Sequence, residues 1–331
     1  MNTPFNFRLT KFPNEAEILR HEVREFLSDA LKDVPKETRA ETWYGADENF
    51  SRKVGQKGWI GLNWPKEHGG AGRSSMERYV ILEEMLTAGA PVGAHWISDR
   101  QSGPLIIRYG TEKHQKELLP GILKGESYFC IGMSEPDSGS DLAALRTKAE
   151  KKGDIYLVNG TKLWTSGAHR CQYMIALFKT SQEEDRHGGF SQFIVDLSLP
   201  GVTIRPIIDL AGRHHFNEVI FEDVEVPEDM LIGTEGNGWN QVTAELALER
   251  SGPERYLSSY MLLQELVSEF SNRNDDEGVT EIGRQMSHLT TLRQMSVSVA
   301  GMLDQGENPA LEASVVKDLG AVFEQELPNI A

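Results

Sequence analysis

Apolar residues recur along this chain with two different periods, and the period changes twice. Up to about residue 127 they fall three and four apart, as on one face of a helix. In PNEAEILRHEVREFLSDAL the spaced positions are Ile18, Val23, Phe26, Leu27 and Leu31, with Asn14 as the expected N-cap. SSMERYVILEEMLTAG and GTEKHQKELLPGILKG predict further helices, the second stopped around Pro120 and Gly125. Between 128 and 233 the period becomes two. TKAEKKGDIYLVNGTKLWTSG predicts two strands joined by a hairpin turn at Asn159-Gly160, and CQYMIALFKT, FSQFIVDL, VTIRPI and HFNEVIFEDVEV predict more. No helix-length pattern intervenes, so an antiparallel sheet or barrel is expected rather than a βαβ wind. From 234 the helical period returns through GWNQVTAELALERSGPERYLSSYMLLQELVSEFSN, a long run to Leu303, and ALEASVVKDLGAVFEQEL. The acidic stretch at 272–278 reads as a solvated connection. The expected class is α+β: an N-terminal helical domain over 1–127, a central antiparallel β domain over 128–233, and a C-terminal helical bundle over 234–331.

Composition narrows the partners. The 331 residues are 39% hydrophobic with 31 Gly, an ordinary globular content that supplies a sizeable core. Lys and Arg number 34 against 50 Asp and Glu, a net charge of −16. That balance argues against nucleic acid or an anionic membrane as the main partner, since both require basic patches. Two cysteines, Cys130 and Cys171, make no disulfide framework. MNTPFNFRLTKF lacks the apolar core of a signal peptide, and no apolar run approaches the roughly 20 residues of a membrane span. A cytoplasmic location is expected. GxGxxG, GxxxxGK[ST] and GxSxG are absent, and the nine histidines are scattered without carboxylates at ligand spacing, so no metal is expected.

Three segments carry candidate chemistry, each with a plainer alternative. CIGMSEPDSGSDL sets hydroxyls and glycine between acids at the entrance to the β region. Ser134 suits the polar edge of a heteroaromatic ring, and the turn at Gly139 and Ser140 suits phosphate oxygens; an acidic turn fits equally. In KLWTSG, Trp164 offers a flat face with Ser166 two residues on along the same side of a strand; a buried structural Trp is the alternative. In GWNQVTAELALERSGPERY the stripe Trp239, Val242, Leu246 continues onto Glu249, a carboxylate where an apolar residue belongs. Burial raises a carboxylate's pKa and suits it to work as a general base; a core glutamate paired with an arginine is the alternative.

These segments, together with GWIGLNWPKEHGGAG at 58–72 and FNEVIFEDVEVPEDMLIG at 216–233 followed by GNGW, resemble the acyl-CoA dehydrogenase family, FAD-dependent α,β-desaturases of acyl-CoA thioesters. The resemblance runs over nearly the whole chain and implies helical, β and helical domains in that order. It implies that Met133, Ser134, Trp164, Thr165 and Ser166 meet the flavin, and that Gly139 and Ser140 form the pyrophosphate and substrate turn. Arg250 matches an arginine beside the catalytic helix. The Glu249-Arg250 pair matches the branch whose base lies on this earlier helix, so the resemblance implies Glu249 as α-proton base, hydride transfer to flavin N5, and electrons passed to an electron-transfer flavoprotein. It also implies a homo- or hetero-oligomer built as a dimer of dimers, and further helices with a glycine-rich turn beyond FEQELPNIA, in this chain or in a partner. HWISDRQSGPLI matches relatives acting on bulky, branched or ring-bearing acyl groups, with Arg100 and Gln101 near the acyl tail; a salt bridge between helices is the alternative for these two. A flavin monooxygenase or oxidase on the same fold, and a non-catalytic partner subunit, remain alternative functions.

Overall fold

The computed structural model describes residues 5–248, 252–273 and 276–331. Helices α1 (Asn14–Ala30), α2 (Lys36–Arg39), α3 (Glu48–Gln56), α4 (Ser75–Thr87), α5 (Gly103–Tyr109) and α6 (Glu112–Leu123) form the N-terminal part. Strands β1 (Phe129–Gly132), β2 (Lys148–Lys152), β3 (Ile155–Ser166), β4 (Tyr173–Lys179), β5 (Phe190–Asp196), β6 (Val202–Ile208) and β7 (His214–Pro227) follow. Helices α7 (Gly238–Leu248), α8 (Tyr260–Arg273), α9 (Asp276–Asp304) and α10 (Ala310–Ile330) complete the chain.

The helix starts obey capping chemistry where the sequence offers it. Ser74 and Glu77 close a reciprocal capping box on α4, Ser74 Oγ accepting from Glu77 N and Glu77 Oε2 accepting from Ser74 N. The expected Asn14 cap does not form: Asn14 is the first helical residue, and the extended Pro13 precedes it with its carbonyl accepting from Ala16 and Glu17. The buried stripe of α1 is Ala16, Leu19, Val23 and Leu27, while Ile18 is exposed. α6 runs through Pro120 rather than stopping there. Its last turn sits against the left-handed Gly125, which ends the helix instead.

The sheet runs β1-β4-β2-β3-β7-β6, with β5 beside β4. It is mixed rather than purely antiparallel, because β1 pairs with β4 in parallel register, Phe129 opposite Tyr173. The hairpin is displaced from its expected place. β2 and β3 turn at Gly153-Asp154, and Asn159-Gly160 lies inside β3 at a register shift against β7. Gly160 has φ +146, and a Cβ there would lie 2.4 Å from Thr147 Oγ1, so glycine serves close approach within the sheet rather than a turn. Asn159 instead bonds Asp223 across the strands, Nδ2 to Oδ1 at 2.9 Å.

Apolar side chains of the sheet, including Tyr156, Phe178, Phe193, Val219 and Phe221, form one core. The helices build another that reaches from Leu19 and Val23 through Trp64 and Met85 to Val316 and Phe323. A cluster of charged groups bridges it. Arg20 of α1 bonds Glu83 (2.7 Å) and Glu84 (2.5 Å) of α4, and Arg293 of α9 bonds Glu83 at 2.6 Å, so first and last parts of the chain share one buried network.

Candidate active site

A cavity of about 390 Å³ opens where the edge of the sheet meets the helices. Met133, Ser134, Gly139, Trp164 and Ser166 line it together with Trp96, Arg100, Gln101, Val242 and Arg255. Of the residues expected to meet the flavin or its phosphates, five line this cavity, and Arg100 and Gln101, expected near the acyl tail, line it too. Ser140 is exposed beside Gly139, and Thr165 is buried in the sheet and does not line the cavity. Glu249 and Arg250 lie outside the described residues.

Trp164 reaches the cavity by breaking the strand's alternation. It sits in a register shift between Lys162 and Thr165 with φ 61, a left-handed conformation that costs a non-glycine residue about 1–3 kcal/mol. Its ring remains 56% exposed and meets Phe216 edge to face, centroids 6.0 Å apart. The bulge turns Trp164 outward and Thr165 inward, so the simple expectation of Trp164 and Ser166 on one strand face holds only through this irregularity.

A buried ion pair fastens the two motifs to each other. Lys162, fully buried, donates to Glu135 Oε1 at 2.8 Å and to the Met133 carbonyl at 3.1 Å. Glu135 also accepts from the backbone N–H of Arg146 (2.6 Å) and Thr147 (3.0 Å), and Leu163 N donates to the Ser134 carbonyl at 2.8 Å. Burial alone would raise the Glu135 pKa, but the Lys162 ammonium and these donors hold it below the usual carboxylate range. Burial pulls Lys162 down to about 8, still charged at neutral pH. The acids of SEPDSGSD therefore do not act as a set: Glu135 is scaffold, while Asp137 and Asp141 face solvent and pair with Arg146 and Arg186. The one sequence signal for this pair was a lysine at the inward parity of β3, in step with Tyr156 and Val158.

Sequence reasoning missed the aromatic side of the cavity. Trp43 and Trp96 stack at 6.3 Å and 27°, and the Arg100 guanidinium lies 5.4 Å from the Trp96 ring centroid. Behind Ser166, His169 and His214 stack at 3.8 Å, and burial, with Arg170 nearby, holds the His169 pKa down to about 4. Arg100 also makes the salt bridge that was its alternative, Nη1 to Glu254 Oε1 at 2.6 Å, so it is both a cavity wall and a helix tie.

Two family models match: acyl-CoA dehydrogenase, N-terminal domain, over residues 13–126, and acyl-CoA dehydrogenase, middle domain, over 130–224. The acyl-CoA dehydrogenase IpdE1 of Mycolicibacterium smegmatis is 32% identical over 339 residues, covering 96% of this chain and 85% of that protein. The chain belongs to the acyl-CoA dehydrogenase family. FadE29 of Mycobacterium tuberculosis, another acyl-CoA dehydrogenase, is 38% identical over 250 residues, 74% of this chain, and the match spans 64% of that relative's length. Among solved structures, the Tcur3481-Tcur3483 steroid ACAD superposes with TM-score 0.88 at 27% identity, covering 98% of this chain and 85% of that one. The ChsE4-ChsE5 complex from Mycobacterium tuberculosis gives 0.83 at 30%, covering 98% and 84%.

Acyl-CoA dehydrogenases are FAD-dependent flavoproteins. The cavity fits the flavin ring on its own terms. An aromatic face is held exposed in a strained conformation at the wall, with the Ser134 and Ser166 hydroxyls beside it. A Cβ on Gly139 would meet no atom within 4 Å, leaving backbone open to a ligand. Among the described residues, no helix is long and apolar enough to cross a membrane.

Proposed function

We propose that this chain carries out the α,β-dehydrogenation of an acyl-CoA thioester to a trans-2-enoyl-CoA, with Glu249 as the base. The observation that supports it best is the shared cavity. Trp164, Ser166, Met133 and Ser134 line it with Val242 and Arg255, which lie in the sequence before and after the segment that carries Glu249. FAD, when bound, supplies the two-electron acceptor; Trp164 offers the face on which its ring packs, and Ser134 and Ser166 the hydroxyls for its polar edge. Gly139 and Ser140 hold phosphate or substrate oxygens, and Thr165 sets the strand irregularity that presents Trp164. Arg250 assists substrate binding beside the base.

The α-proton of a thioester is too weakly acidic for a carboxylate in water. Ile131, Leu142, Trp43 and Trp96 give the cavity an apolar lining that excludes water and raises the basicity of a carboxylate reaching it. Hydrogen bonds to the thioester oxygen then stabilise the developing enolate, about 3–4 kcal/mol for each donor. The acceptor of the reducing equivalents is an electron-transfer flavoprotein. The paired components of Tcur3481-Tcur3483 and of the ChsE4-ChsE5 complex support an oligomer of two kinds of subunit, for which we propose a dimer of dimers. The likeness to the Tcur3481-Tcur3483 steroid ACAD, with two cavities here that share Arg100, supports a bulky, ring-bearing acyl group.

An anaerobic visible spectrum before and after adding acyl-CoAs tests this reading. The flavin band should bleach with a ring-bearing acyl-CoA. Glu249→Gln should keep the flavin and the acyl-CoA affinity while slowing bleaching about 10²–10⁴-fold. Bleaching at the native rate in Glu249→Gln would place the base elsewhere.

A further inference from the structure

Ser98–Ser102 forms a π-helical turn, an irregularity found frequently at functional sites. One side of it is fastened to β1, to α4 and to the turn at Gly61. Ser98 Oγ accepts from Phe129 N at 2.9 Å, and Asp99 accepts from Gly61 N at 2.7 Å and from Arg78 Nη2 at 3.1 Å. The other side touches the chain both before and after Glu249 in the sequence. Arg100 and Gln101 line a small cleft with Ala244 of α7, five residues before Glu249. Arg100 Nη1 donates at 2.6 Å to Oε1 of Glu254, five residues after Glu249, and neither side chain is more than 10% exposed. The Glu254 carboxylate folds back against the backbone: a Cβ on Gly252, three residues past Glu249, would lie 2.0 Å from Oε2. Glu254 is also held through its carbonyl, which accepts from Ser258 Oγ at 3.2 Å, while Ser258 Oγ accepts from Trp43 Nε1 at 3.0 Å.

We infer that Arg100 is a positioning residue for the base: through Glu254 on one side and α7 on the other, it sets where the segment between them presents Glu249. The inference rests on Glu249 as the base, the reading proposed above. Removing a proton from a weakly acidic carbon tolerates little slack, and a misplacement of about 1 Å costs on the order of 10²-fold in rate. An exposed ion pair would be too weak for this task. Here solvent is excluded from both partners, and the guanidinium lies 5.4 Å from the Trp96 ring centroid. Pro253 removes one backbone torsion from the short link between Glu249 and Glu254. A displacement of the Glu254 carboxylate therefore presses on Gly252 directly. Contact with the acyl tail alone would give Arg100 an effect on affinity and none on proton transfer.

The test isolates the proton. A 3-thiaacyl-CoA carries sulfur in place of the β-carbon, so its α-proton can leave but no β-hydride can follow. In D2O the base takes the α-proton, trades it with solvent and returns a deuteron, and mass spectrometry of the analogue reads the rate on the purified, FAD-loaded protein. Arg100→Gln should slow this exchange about tenfold to a hundredfold while the calorimetric affinity for the analogue stays within about threefold. Arg100→Lys, which keeps a cation within reach of Glu254, should recover most of the rate. Gly252→Ala adds a methyl that displaces the Glu254 carboxylate while leaving both charges, so it should slow exchange as well and serves where Arg100→Gln does not fold. Native-rate exchange in Arg100→Gln or in Gly252→Ala, or a rate loss matched by an equal loss of affinity, would overturn the positioning role. Native-rate exchange in Glu249→Gln would overturn the base assignment instead.

Discussion

Lys162–Glu135 and Arg100–Glu254 are both buried ion pairs, 2.8 and 2.6 Å long, with side chains no more than 10% exposed, yet their surroundings differ. Around the first, both carboxylate oxygens are satisfied: Oε1 by Lys162 and Thr147 N, Oε2 by Arg146 N. Around the second, Glu254 Oε2 meets no partner among the described residues, and Arg100 and Glu254 both line a neighbouring cavity. The contrast teaches how to tell scaffold from site when both are buried charges. A saturated pair has nothing left to offer a ligand and serves to hold the SEPDSGSD turn against the KLWTSG strand. A pair with fewer bonds beside a cavity is held less firmly by its surroundings.

The largest effect that could break this comparison belongs to the saturated pair. Lys162→Met should destabilise the fold by about 3–5 kcal/mol, because it leaves the Glu135 carboxylate buried without its counter-charge. Urea denaturation reads this directly, and a loss below about 1 kcal/mol would remove Lys162 from the scaffold. Glu254→Gln should cost less, about 1–2 kcal/mol, since an amide still accepts from Arg100 while its other end can turn to the cavity. A loss as large as that of Lys162→Met would erase the distinction between the pairs.

The smallest effect is a pH dependence. The folded Glu135 pKa lies below its ordinary 4.5, so its contribution to stability is present above that pH and lost as pH falls through the depressed folded value. Comparing acid unfolding of the native protein with Glu135→Gln should show a shallower acid limb in the variant. His169 works in the same pH direction over a different range: held at about 4 against an ordinary 6.5, it opposes protonation in the fold, and stability should decline between those values. An unchanged acid limb in His169→Asn would show that the stacked His169–His214 pair contributes nothing to it.

The order of helical, β and helical segments was legible because amphipathic periodicity is local: each stripe reports its own element without reference to the rest. The same holds for α4, where Ser74 and Glu77 meet three residues apart. Asn159-Gly160 misled because an Asn-Gly dipeptide signals a positive-φ glycine but not whether that geometry closes a turn or admits a neighbouring strand. The close approach of Thr147 decides it, and Thr147 is distant in sequence. Glu135 read as part of an acidic turn for the same reason: its partner Lys162 stands 27 residues away.

By itself, then, the sequence determined the fold class, the family likeness and the set of side chains from which a flavin wall can be built, all properties of local patterns in order. Only the tertiary structure decided which of them converge. It turned Trp164 out and Thr165 in through a bulge, assigned Glu135 to the scaffold, and tied Arg100 to Glu254 between two cavities. The physical reason is that saturation is a property of the whole environment of an atom. A sequence names the donors and acceptors, but packing alone determines which of them remain without a partner.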